Sequence, residues 1–558
     1  MNNSVSIDSL FFTYRGNERP ALKNICGEMA EGAFIGLLGN GGAGKSTLCC
    51  AMNGLVPRFF RGDYSGSLTV YGKDASGCKI AEMSKTVGLV LQDFEAQLFS
   101  SNVELETAFG PENLGLSRKE IGQRITRHLA FVGLEGMRTR DSSTLSGGQK
   151  QRLAICSVLA MESPVLVMDE PTTDLDPKGR EHILSLSRRL KDNNRTLIIA
   201  DNDPENIIHA DRLWLMRDGE LIACNSPREI LTNNALLDAC GVMPSPAMAL
   251  FHAMGWQGKP LTVEDAIELI QRHNYVPRRK QLIPLRQKDT ISNNPVLEAR
   301  GISYCYPSGK SDSLQDMDIS INDGEFLAIL GQNGSGKTTL AKHFNGLLRP
   351  RSGLMLVNGR PVETYRRHDL ARTVGYVFQN PDHQIFAPTV YEEVSFGLRM
   401  LGEDRHTMDR HVAHALGVTG LEGYENRSPF LLTKGERQRV AVACVLAVKP
   451  KVIILDEPTT GLDYRHQRDT MDLLKELNRQ GHTIIVITHA MWIAETYCRR
   501  TVVMKNGRII ADGDTRTIFA DAARLSEASL CPSPLARLSN WLGTESLTVE
   551  DMVRELAL

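Results

Sequence analysis

An internal repeat is the sequence feature that most constrains this chain. The segment Gly39–Ser46 (GNGGAGKS) recurs as Gly331–Thr338 (GQNGSGKT), and the two lysines are 292 positions apart. Met168–Thr173 (MDEPTT) recurs as Leu455–Thr460 (LDEPTT) 287 positions later, and the difference of five corresponds to an insertion within Val56–Ser65. The 558 residues therefore predict two copies of one catalytic domain.

Each copy also ends in a similar tail, because Leu261–Asp265 (LTVED) recurs as Leu547–Asp551. The stretch between the halves is polar, flanked by prolines and without periodicity, which indicates an exposed linker. The predicted segments are a first catalytic domain at 1–230, its C-terminal extension at 231–275, a linker at 276–295, a second catalytic domain at 296–519 and its extension at 520–558.

Composition excludes several classes of protein. The formal net charge is −2, so the chain lacks the excess of basic residues that is typical of nucleic-acid binders. The longest apolar runs, such as Val165–Met168 and Thr483–Ile487, are much shorter than the roughly 20 residues that a membrane-spanning helix needs. Met1–Leu10 lacks the basic start and apolar stretch of a signal peptide. We therefore expect a protein that is made in the cytosol and stays there.

Two glycine-rich loops predict phosphate-binding sites. Phe34–Leu38 and Phe326–Leu330 are short apolar runs that end in such loops, and a helix is expected from Lys45 and from Lys337. A strand, a glycine-rich loop and a helix in this order are the context of a Walker A motif, whose loop amides surround phosphates and whose lysine reaches the β- and γ-phosphates. The predicted nucleotide-binding residues are Gly39, Asn40, Gly41, Gly42, Ala43, Gly44, Lys45, Ser46 and Thr47 in the first half, and Gly331, Gln332, Asn333, Gly334, Ser335, Gly336, Lys337, Thr338 and Thr339 in the second.

Pairs of carboxylates close two further apolar strands. Asp169 and Glu170 follow Val165–Met168, and Asp456 and Glu457 follow the corresponding run in the second half. In each pair the aspartate is expected to hold magnesium through water, and the glutamate is expected to polarise the attacking water. The predicted magnesium ligands are Ser46, Asp169, Thr338 and Asp456.

A third motif narrows the family. Leu145–Gln149 (LSGGQ) precedes the first carboxylate pair and closely resembles the signature motif of ABC ATPases, with Ser146, Gly147, Gly148 and Gln149 as nucleotide-contacting residues. The resemblance covers both halves. It implies two tandem α/β P-loop nucleotide-binding domains, each with a helical subdomain and a small C-terminal extension. It also implies ATP hydrolysis with Mg²⁺, at sites where the Walker A of one half meets the signature of the other half of the same chain.

The same resemblance assigns five more side chains. Gln92 and Gln379 match the glutamine of the Q-loop, and Tyr14 and Tyr306 match the aromatic that stacks on adenine. A strand aromatic packed in a core is the alternative for each tyrosine. His489 lies 32 positions after the second catalytic glutamate and matches the switch histidine that contacts the γ-phosphate.

The two halves differ at positions that matter to this chemistry. Asn202 stands where the second half has its histidine, and the second signature, Leu432–Glu436 (LTKGE), has Lys434 for a glycine and Glu436 for glutamine. A bulky residue at that glycine hinders the close approach of backbone to phosphate, and the glutamate puts a negative charge near phosphate. We expect a competent site in the second half and a degenerate one in the first. Neutral drift with both sites working stays open, because Glu170 is retained.

The residues after each Q-loop glutamine indicate a transport system. Asn380–Phe386 (NPDHQIF) and Asp93–Phe99 (DFEAQLF) resemble the Q-helix region of energy-coupling factor (ECF) transporter ATPases, which import vitamins and cobalt or nickel ions. The resemblance implies that Asp382 and Glu95 contact arginines on the coupling helices of a transmembrane coupling protein. It also implies a substrate-binding membrane protein as a partner, and a peripheral position on the cytoplasmic face of the cell membrane. An ordinary surface helix is the alternative for this region.

Other functions remain as alternatives. Soluble ABC proteins that act on ribosomes or nucleic acid also carry two fused domains, but they have a long charged helical linker where this chain has a short one. A regulatory nucleotide-binding module without turnover is disfavoured by the complete second site. The transported substrate stays open between a thiamine precursor, another vitamin and a metal ion.

Overall fold

The structure is a computed structural model that describes residues 3–556, apart from 174, 176, 193–194, 276–294, 308–311 and 461. It divides into two compact units, Met1–Ser245 with Asp463–Arg465, and Pro246–Leu462 with His466–Leu558. Nearly all of the predicted linker lies outside the described residues, and Pro295 begins a strand. The segment boundaries taken from the sequence stay predictions.

The first unit is built on two sheets. Its strands are β1 (Asn3–Tyr14), β2 (Leu22–Ala30), β3 (Phe34–Leu38), β4 (Gly62–Val70), β5 (Lys73–Asp74), β6 (Val87–Val90), β7 (Val165–Asp169), β8 (Thr196–Asp201), β9 (Arg212–Arg217) and β10 (Glu220–Asn225). A four-stranded antiparallel sheet has the order β2-β1-β4-β5, and a six-stranded sheet has the order β10-β9-β3-β8-β7-β6. The six-stranded sheet is parallel except where β10 pairs with β9, and its strands β3, β7 and β8 are buried along their whole length, as expected for a parallel sheet covered on both faces.

Helices cover this sheet and form a separate subdomain. They are α1 (Lys45–Met52), α2 (Leu55–Arg58), α3 (Ile80–Met83), α4 (Phe94–Gln97), α5 (Val103–Asn113), α6 (Arg118–Val132), α7 (Gly147–Leu159), α8 (Pro177–Asp192), α9 (Pro227–Leu231) and α10 (Asn234–Ala239). Helices α5, α6 and α7 pack on one another and form the helical subdomain, with the signature motif at the start of α7.

The second unit repeats this arrangement after two helices of its own, α11 (Pro246–Ala253) and α12 (Val263–Arg272). Its strands are β11 (Pro295–Tyr304), β12 (Leu314–Asn322), β13 (Phe326–Leu330), β14 (Ser352–Val357), β15 (Arg360–Pro361), β16 (Val374–Val377), β17 (Val452–Asp456), β18 (Thr483–Thr488), β19 (Arg500–Lys505) and β20 (Arg508–Asp514). Their orders, β12-β11-β14-β15 and β16-β17-β18-β13-β19-β20, match those of the first unit. The fold predicted from the sequence, two tandem P-loop domains, is confirmed.

The remaining helices complete the second unit. They are α13 (Lys337–Phe344), α14 (Arg367–Ala371), α15 (Val390–Met400), α16 (Arg405–Val418), α17 (Lys434–Ala447), α18 (Tyr464–Arg479), α19 (Met491–Tyr497), α20 (Thr515–Ala520), α21 (Ala522–Glu527), α22 (Pro534–Leu542) and α23 (Val549–Leu556). Within this unit α11, α12, α22 and α23 share one apolar cluster around Phe251 and Met552, and Arg537 forms an ion pair with Glu264. The extension helices of both halves therefore stabilise each other. In the described part of the chain, no helix combines the length and hydropathy needed to cross a bilayer.

Candidate active sites

The two glycine-rich loops have the backbone geometry that the motif predicts. Each connects the carboxyl end of a central strand, β3 or β13, to a helix that begins at the motif lysine. Gly44 and Gly336 have φ values of 99° and 103°, and a Cβ on either would lie 2.5 or 2.6 Å from a neighbouring carbonyl oxygen. Glycine is therefore required at both positions to turn the chain into the helix. Open clefts at the carboxyl ends of parallel strands are the usual ligand sites of such sheets.

The motif lysines lie inside their loops. Lys337 Nζ donates hydrogen bonds to the carbonyl oxygens of Gly331 (2.7 Å) and Gln332 (3.0 Å). Lys45 makes the equivalent bonds in the first unit, at 2.8 and 3.0 Å, and also donates to Oδ1 of Asn202 at 2.6 Å. In the first site, a side-chain partner of the lysine is thus supplied by the residue that replaces the histidine.

A cavity in the second unit brings most of the predicted residues together. It is lined by Tyr306, Ser313, Asn333, Gly334, Ser335, Gly336, Lys337, Thr338, Thr339, Gln379, Asp456 and Glu457. Tyr306 closes one side, with its hydroxyl 3.4 Å from that of Thr339. Tyr14 has the same relation to Thr47 in the first unit, at 3.0 Å. Both tyrosines therefore lie where a base attached to phosphates in the loop can reach them.

The residues present fit a magnesium ion beside the loop. Asp456 accepts hydrogen bonds from the hydroxyls of Thr338 and, at 2.8 Å, Tyr376, but its buried Oδ1 has no hydrogen-bond partner among the described residues. Burial raises the pKa of this carboxyl, against the lowering effect of those hydrogen bonds. In the first unit Asp169 contacts Ser46 and likewise has an unpartnered Oδ1 within the described structure. Buried oxygens without partners are costly, and a cation with its waters would satisfy them.

The predicted catalytic glutamate of the second half, Glu457, has one carboxylate oxygen without a protein donor among the described residues. Glu457 has a left-handed backbone (φ 49°), an uncommon conformation for a residue with a side chain and one that often marks functional sites. His489 Nδ1 lies 2.9 Å from its Oε1, and Oε2 has no hydrogen-bond partner in the described residues. Burial would raise the pKa of Glu457, but His489 and Lys337 outweigh it and lower the pKa. The carboxylate is therefore ionised at neutral pH, with one oxygen available to a water.

The first catalytic glutamate has the same backbone but a different environment. Asn202 Nδ2 donates to Oε1 of Glu170 at 2.7 Å, while Gln92 Nε2 and Thr173 Oγ1 donate to Oε2 at 2.8 and 3.2 Å. Both oxygens of this carboxylate are thus occupied by protein donors. Burial raises the pKa of Glu170, and Lys45 opposes that shift. The predicted residues come together here too, but in an arrangement that leaves less room for a water.

These geometries agree with the comparisons to known proteins. A model of the family described as "ABC transporter" matches residues 22–173 and 314–460, which are the two P-loop regions described above. The chain belongs to the ABC transporter family. Members of this family bind ATP, normally with Mg²⁺, and hydrolyse it.

Relatives of full length support the assignment to the ABC family. A protein of Caldanaerobacter subterraneus subsp. tengcongensis, provisionally named an ABC transporter ATP-binding protein, is 46% identical over 99% of this chain and 98% of its own length. A protein of Methanosarcina acetivorans with the same name is 39% identical over 96% of this chain and 90% of its own length. Among solved structures, cbiO1 of Clostridium perfringens, described as part of the ABC transporter complex cbiONQ, is 38% identical, covering 44% of this chain and 98% of that one with a TM-score of 0.39.

Both ABC signature helices begin with a capping box. In α7, Ser146 and Gln149 exchange side-chain and backbone hydrogen bonds, and in α17 Thr433 and Glu436 do the same. Glu436 also accepts from the hydroxyl of Tyr424 at 2.9 Å. Burial would raise the pKa of Glu436, but the hydrogen bonds from Thr433 and Tyr424 lower it. The carboxylate expected from the sequence to oppose phosphate is thus bound to its own helix terminus.

The glycine that Lys434 replaces is not required by the backbone. Gly147, its counterpart in the first half, lies in ordinary helical conformation, and a Cβ added there would meet no described atom within 4 Å. Any requirement for glycine at this position must therefore come from a ligand that approaches the helix terminus.

The region after each Q-loop glutamine forms an exposed acidic and aromatic surface. In the second unit Phe386 and Phe396 make an edge-to-face contact at 4.8 Å while remaining 59% and 38% exposed, and Asp382 precedes Phe386 by four residues. In the first unit Phe99 and Phe109 make the same contact at 4.5 Å, and Glu95 precedes Phe99 by four residues. We call each set, one carboxylate and two phenylalanines, an acid–aromatic surface.

Each carboxylate of an acid–aromatic surface pairs with the signature helix of its own unit. Asp382 lies 2.7 Å from Arg437, and Glu95 lies 2.7 Å from Lys150. The basic residue stands four positions after the signature serine or threonine in both halves. The carboxylates remain about half exposed, at 51% and 58% of their side chains, so a second cation can still reach them.

Sequence reasoning missed several residues that the structure places at these sites. Tyr376 donates a hydrogen bond to Asp456, the predicted magnesium ligand of the second site, and its counterpart by the 287-residue offset is Leu89. Ser313 lines the cavity, and Tyr424 binds the second signature. The repeat offset was the one signal that could have identified Tyr376, because it exposes a polar residue in one half against an apolar residue in the other.

Proposed function

We propose that this chain is the ATP-hydrolysing subunit of an ECF-type importer and works on the cytoplasmic face of the cell membrane. The observation that carries the proposal is the second site, where Lys337, Asp456 and Glu457 line one cavity and His489 contacts Glu457. Membership of the ABC family indicates that ATP is the substrate. The acid–aromatic surfaces are the regions that would bind the membrane partners.

Each residue of the second site has a distinct role in ATP hydrolysis. Lys337 and the loop amides bind the β- and γ-phosphates, and Thr338 and Asp456 would hold Mg²⁺. Magnesium neutralises charge on the transferred phosphoryl group when it is bound. Glu457 orients the attacking water and accepts its proton, while His489 keeps the carboxylate ionised and in place.

The two sites are proposed to be unequal. In the first, Asn202 binds both Lys45 and Glu170, so it fixes the lysine and the base to each other. An amide cannot carry the charge that a histidine can, and the carboxylate keeps no free oxygen. If each Walker A meets the signature of the other half, as the family resemblance implies, the first site also receives the helix that begins with Lys434. These features favour nucleotide binding over turnover at the first site.

Charge and apolar exposure support membrane coupling. A coupling helix with an arginine would find a half-exposed carboxylate and two exposed phenylalanines at each acid–aromatic surface. The imported substrate would be bound by a separate membrane protein, and the proposed classes are a vitamin, for example a thiamine precursor, or a cobalt or nickel ion.

Fractionation of cells that express the full-length chain tests this function. We expect wild-type protein in washed membranes with ATPase activity after detergent extraction, and we expect Phe386→Asp to move it to the soluble fraction with unchanged affinity for ATP. Leu354→Asp is the matched control, because Leu354 is also exposed (37%) but lies on β14, outside the acid–aromatic surfaces. Wild-type protein that sediments with ribosomes and is absent from membranes would overturn the proposal in favour of a soluble ABC ATPase.

A further inference from the structure

The five-residue insertion of the first half places two aromatic side chains beside the predicted base-binding tyrosine. Phe60 lies 6.4 Å from the Tyr14 ring, and Phe59 lies 4.9 Å from Phe60, both edge to face. Phe59 is 68% exposed and Phe60 is 39% exposed, so apolar surface remains open next to Tyr14. Exposed aromatics are costly for a soluble domain and often mark a binding site.

Backbone hydrogen bonds hold the segment 60–62 close to Tyr14. Strand β4 begins at Gly62, which pairs with Tyr14, and the Arg15 amide donates to the Arg61 carbonyl oxygen at 3.0 Å. A Cβ at Gly62 would lie 2.0 Å from the Thr13 carbonyl oxygen, so the close approach depends on glycine. The amide of Phe60 also donates to Leu55 at 3.0 Å. The position of Phe60 is thus set by hydrogen bonds on both sides of it.

Among the residues that the structure describes, the second half shows no counterpart to this arrangement. Tyr306 keeps an aromatic neighbour in Tyr304 at 5.0 Å, as Tyr14 does in Phe12 at 4.8 Å. The shorter connection Gly346–Arg351 contains no aromatic residue, and its exposed apolar side chain is Leu347. The first half therefore differs from the second by the added aromatic side chains Phe59 and Phe60 beside its tyrosine.

We propose that Phe60 contacts the base of the nucleotide bound at the first site, so that a purine is held in a corner formed by Tyr14 and Phe60. The inference rests on the proposed function, because it needs ATP at the loop of Lys45. Tyr14 is placed by its hydroxyl contact with Thr47, on the helix that follows this loop. An aromatic base can stack on one ring and meet the edge or face of a second ring that is perpendicular to it. The first site thereby retains nucleotide more tightly than the second, in keeping with a site that binds rather than turns over.

Binding to one site at a time tests the proposal. In full-length protein whose second site is disabled by Lys337→Ala and Tyr306→Ala, titration calorimetry should give about one ATP per chain. We expect Phe60→Ala to weaken ATP binding there by roughly 2- to 12-fold, the range for loss of one edge-to-face aromatic contact. Inorganic tripolyphosphate, which has no base, should bind equally well to both proteins. Phe60→Tyr should restore ATP affinity.

A matched control and the opposing outcomes complete the experiment. Leu347→Ala, in protein whose first site is disabled by Lys45→Ala and Tyr14→Ala, should leave ATP affinity at the second site unchanged. Unchanged ATP affinity in Phe60→Ala, or equal weakening of ATP and tripolyphosphate, overturns the inference while the proposed function stands. Loss of membrane association without a change in ATP affinity would make the aromatics a partner surface and also overturn it. Wild-type protein that binds ATP at neither site would instead contradict the proposed function itself.

Discussion

Removing the catalytic carboxylate from each half in turn should expose the inequality of the two sites. Glu457→Gln and Glu170→Gln are matched substitutions, because each replaces one oxygen by an NH₂ of similar size at a buried residue with a left-handed backbone. Loss of a positioned base typically lowers the rate by about 10²- to 10⁴-fold. We expect Glu457→Gln to reduce turnover at its own site by at least the lower of these factors, so that the remaining ATPase activity comes mainly from the first site.

The expected effect of Glu170→Gln follows from the hydrogen bonds of its carboxylate. A water that approaches Glu170 competes with the hydrogen bond from Asn202 at one oxygen, or with those from Gln92 and Thr173 at the other. A hydrogen bond to a charged group contributes about 1.5–3 kcal/mol, so its displacement slows the first site by roughly 10- to 150-fold. Glu457 needs no such displacement, because its Oε2 has no partner in the described residues. The first site should thus supply about a tenth of turnover or less.

The assay is phosphate release by the purified full-length chain at saturating Mg-ATP, with ATP binding measured in parallel to show that both variants are folded. Glu170→Gln should keep about nine-tenths of the activity or more, and Glu457→Gln should keep about a tenth or less, which is the turnover of the intact first site. Lys45→Ala can lower activity more than Glu170→Gln does, since bound nucleotide can be needed where hydrolysis is not. Equal losses in the two glutamine variants would refute the reasoning and make Asn202 and Lys434 harmless replacements.

Three further results are expected. Asp382→Arg should uncouple membrane association from ATP binding, as shown by fractionation. Adding Arg437→Glu to the same chain should keep an ion pair within the unit but should not restore docking. Restored docking would mean that the pair acts only on folding. Asn202→His should raise turnover at the first site severalfold in a Glu457→Gln background, measured by phosphate release, whereas unchanged turnover would place the defect elsewhere. Burial and, next, the charge of Asp203 raise the pKa of Asp201 to about 6, so the native protein should lose stability as pH rises from about 4 to about 6. Asp201→Asn should remove that part of the pH dependence when stability is measured by urea unfolding. Identical stability–pH profiles for the two proteins would contradict the assignment.

The elements nearest the motifs were predictable from sequence because their causes are local. The apolar runs Phe34–Leu38 and Phe326–Leu330 are strands with those limits, and helices begin at Lys45 and Lys337 as the loop pattern requires. Glycines at positions of positive φ and a helix N-terminus suffice to define such a loop. Because the two halves repeat the same motifs, the fold predicted for one half is also predicted for the other.

The pairings within the sites were not predictable, because they join residues that are far apart in the sequence. Asn202 was identified as a missing histidine, but its two hydrogen bonds to Lys45 and Glu170 depend on how β3, β7 and β8 align in the sheet. Glu436 was interpreted by its charge alone, whereas its hydrogen bonds from Thr433 and Tyr424 give it a structural use. Charge in a sequence does not say which donors surround it.

The differences between the halves leave the fold intact and lie at positions that are predicted to contact ligands. Glu436 preserves a capping box, so the helix that follows Thr433 begins as firmly as its counterpart in the first half. Asn202 still binds the neighbouring glutamate, as His489 does in the second unit. Random decay would be expected to damage caps and packing as readily as catalytic groups, since both are single side chains. We therefore propose that the first half, which keeps its loop, its lysine and an added aromatic while its predicted base is occupied by protein donors, holds nucleotide without rapid hydrolysis.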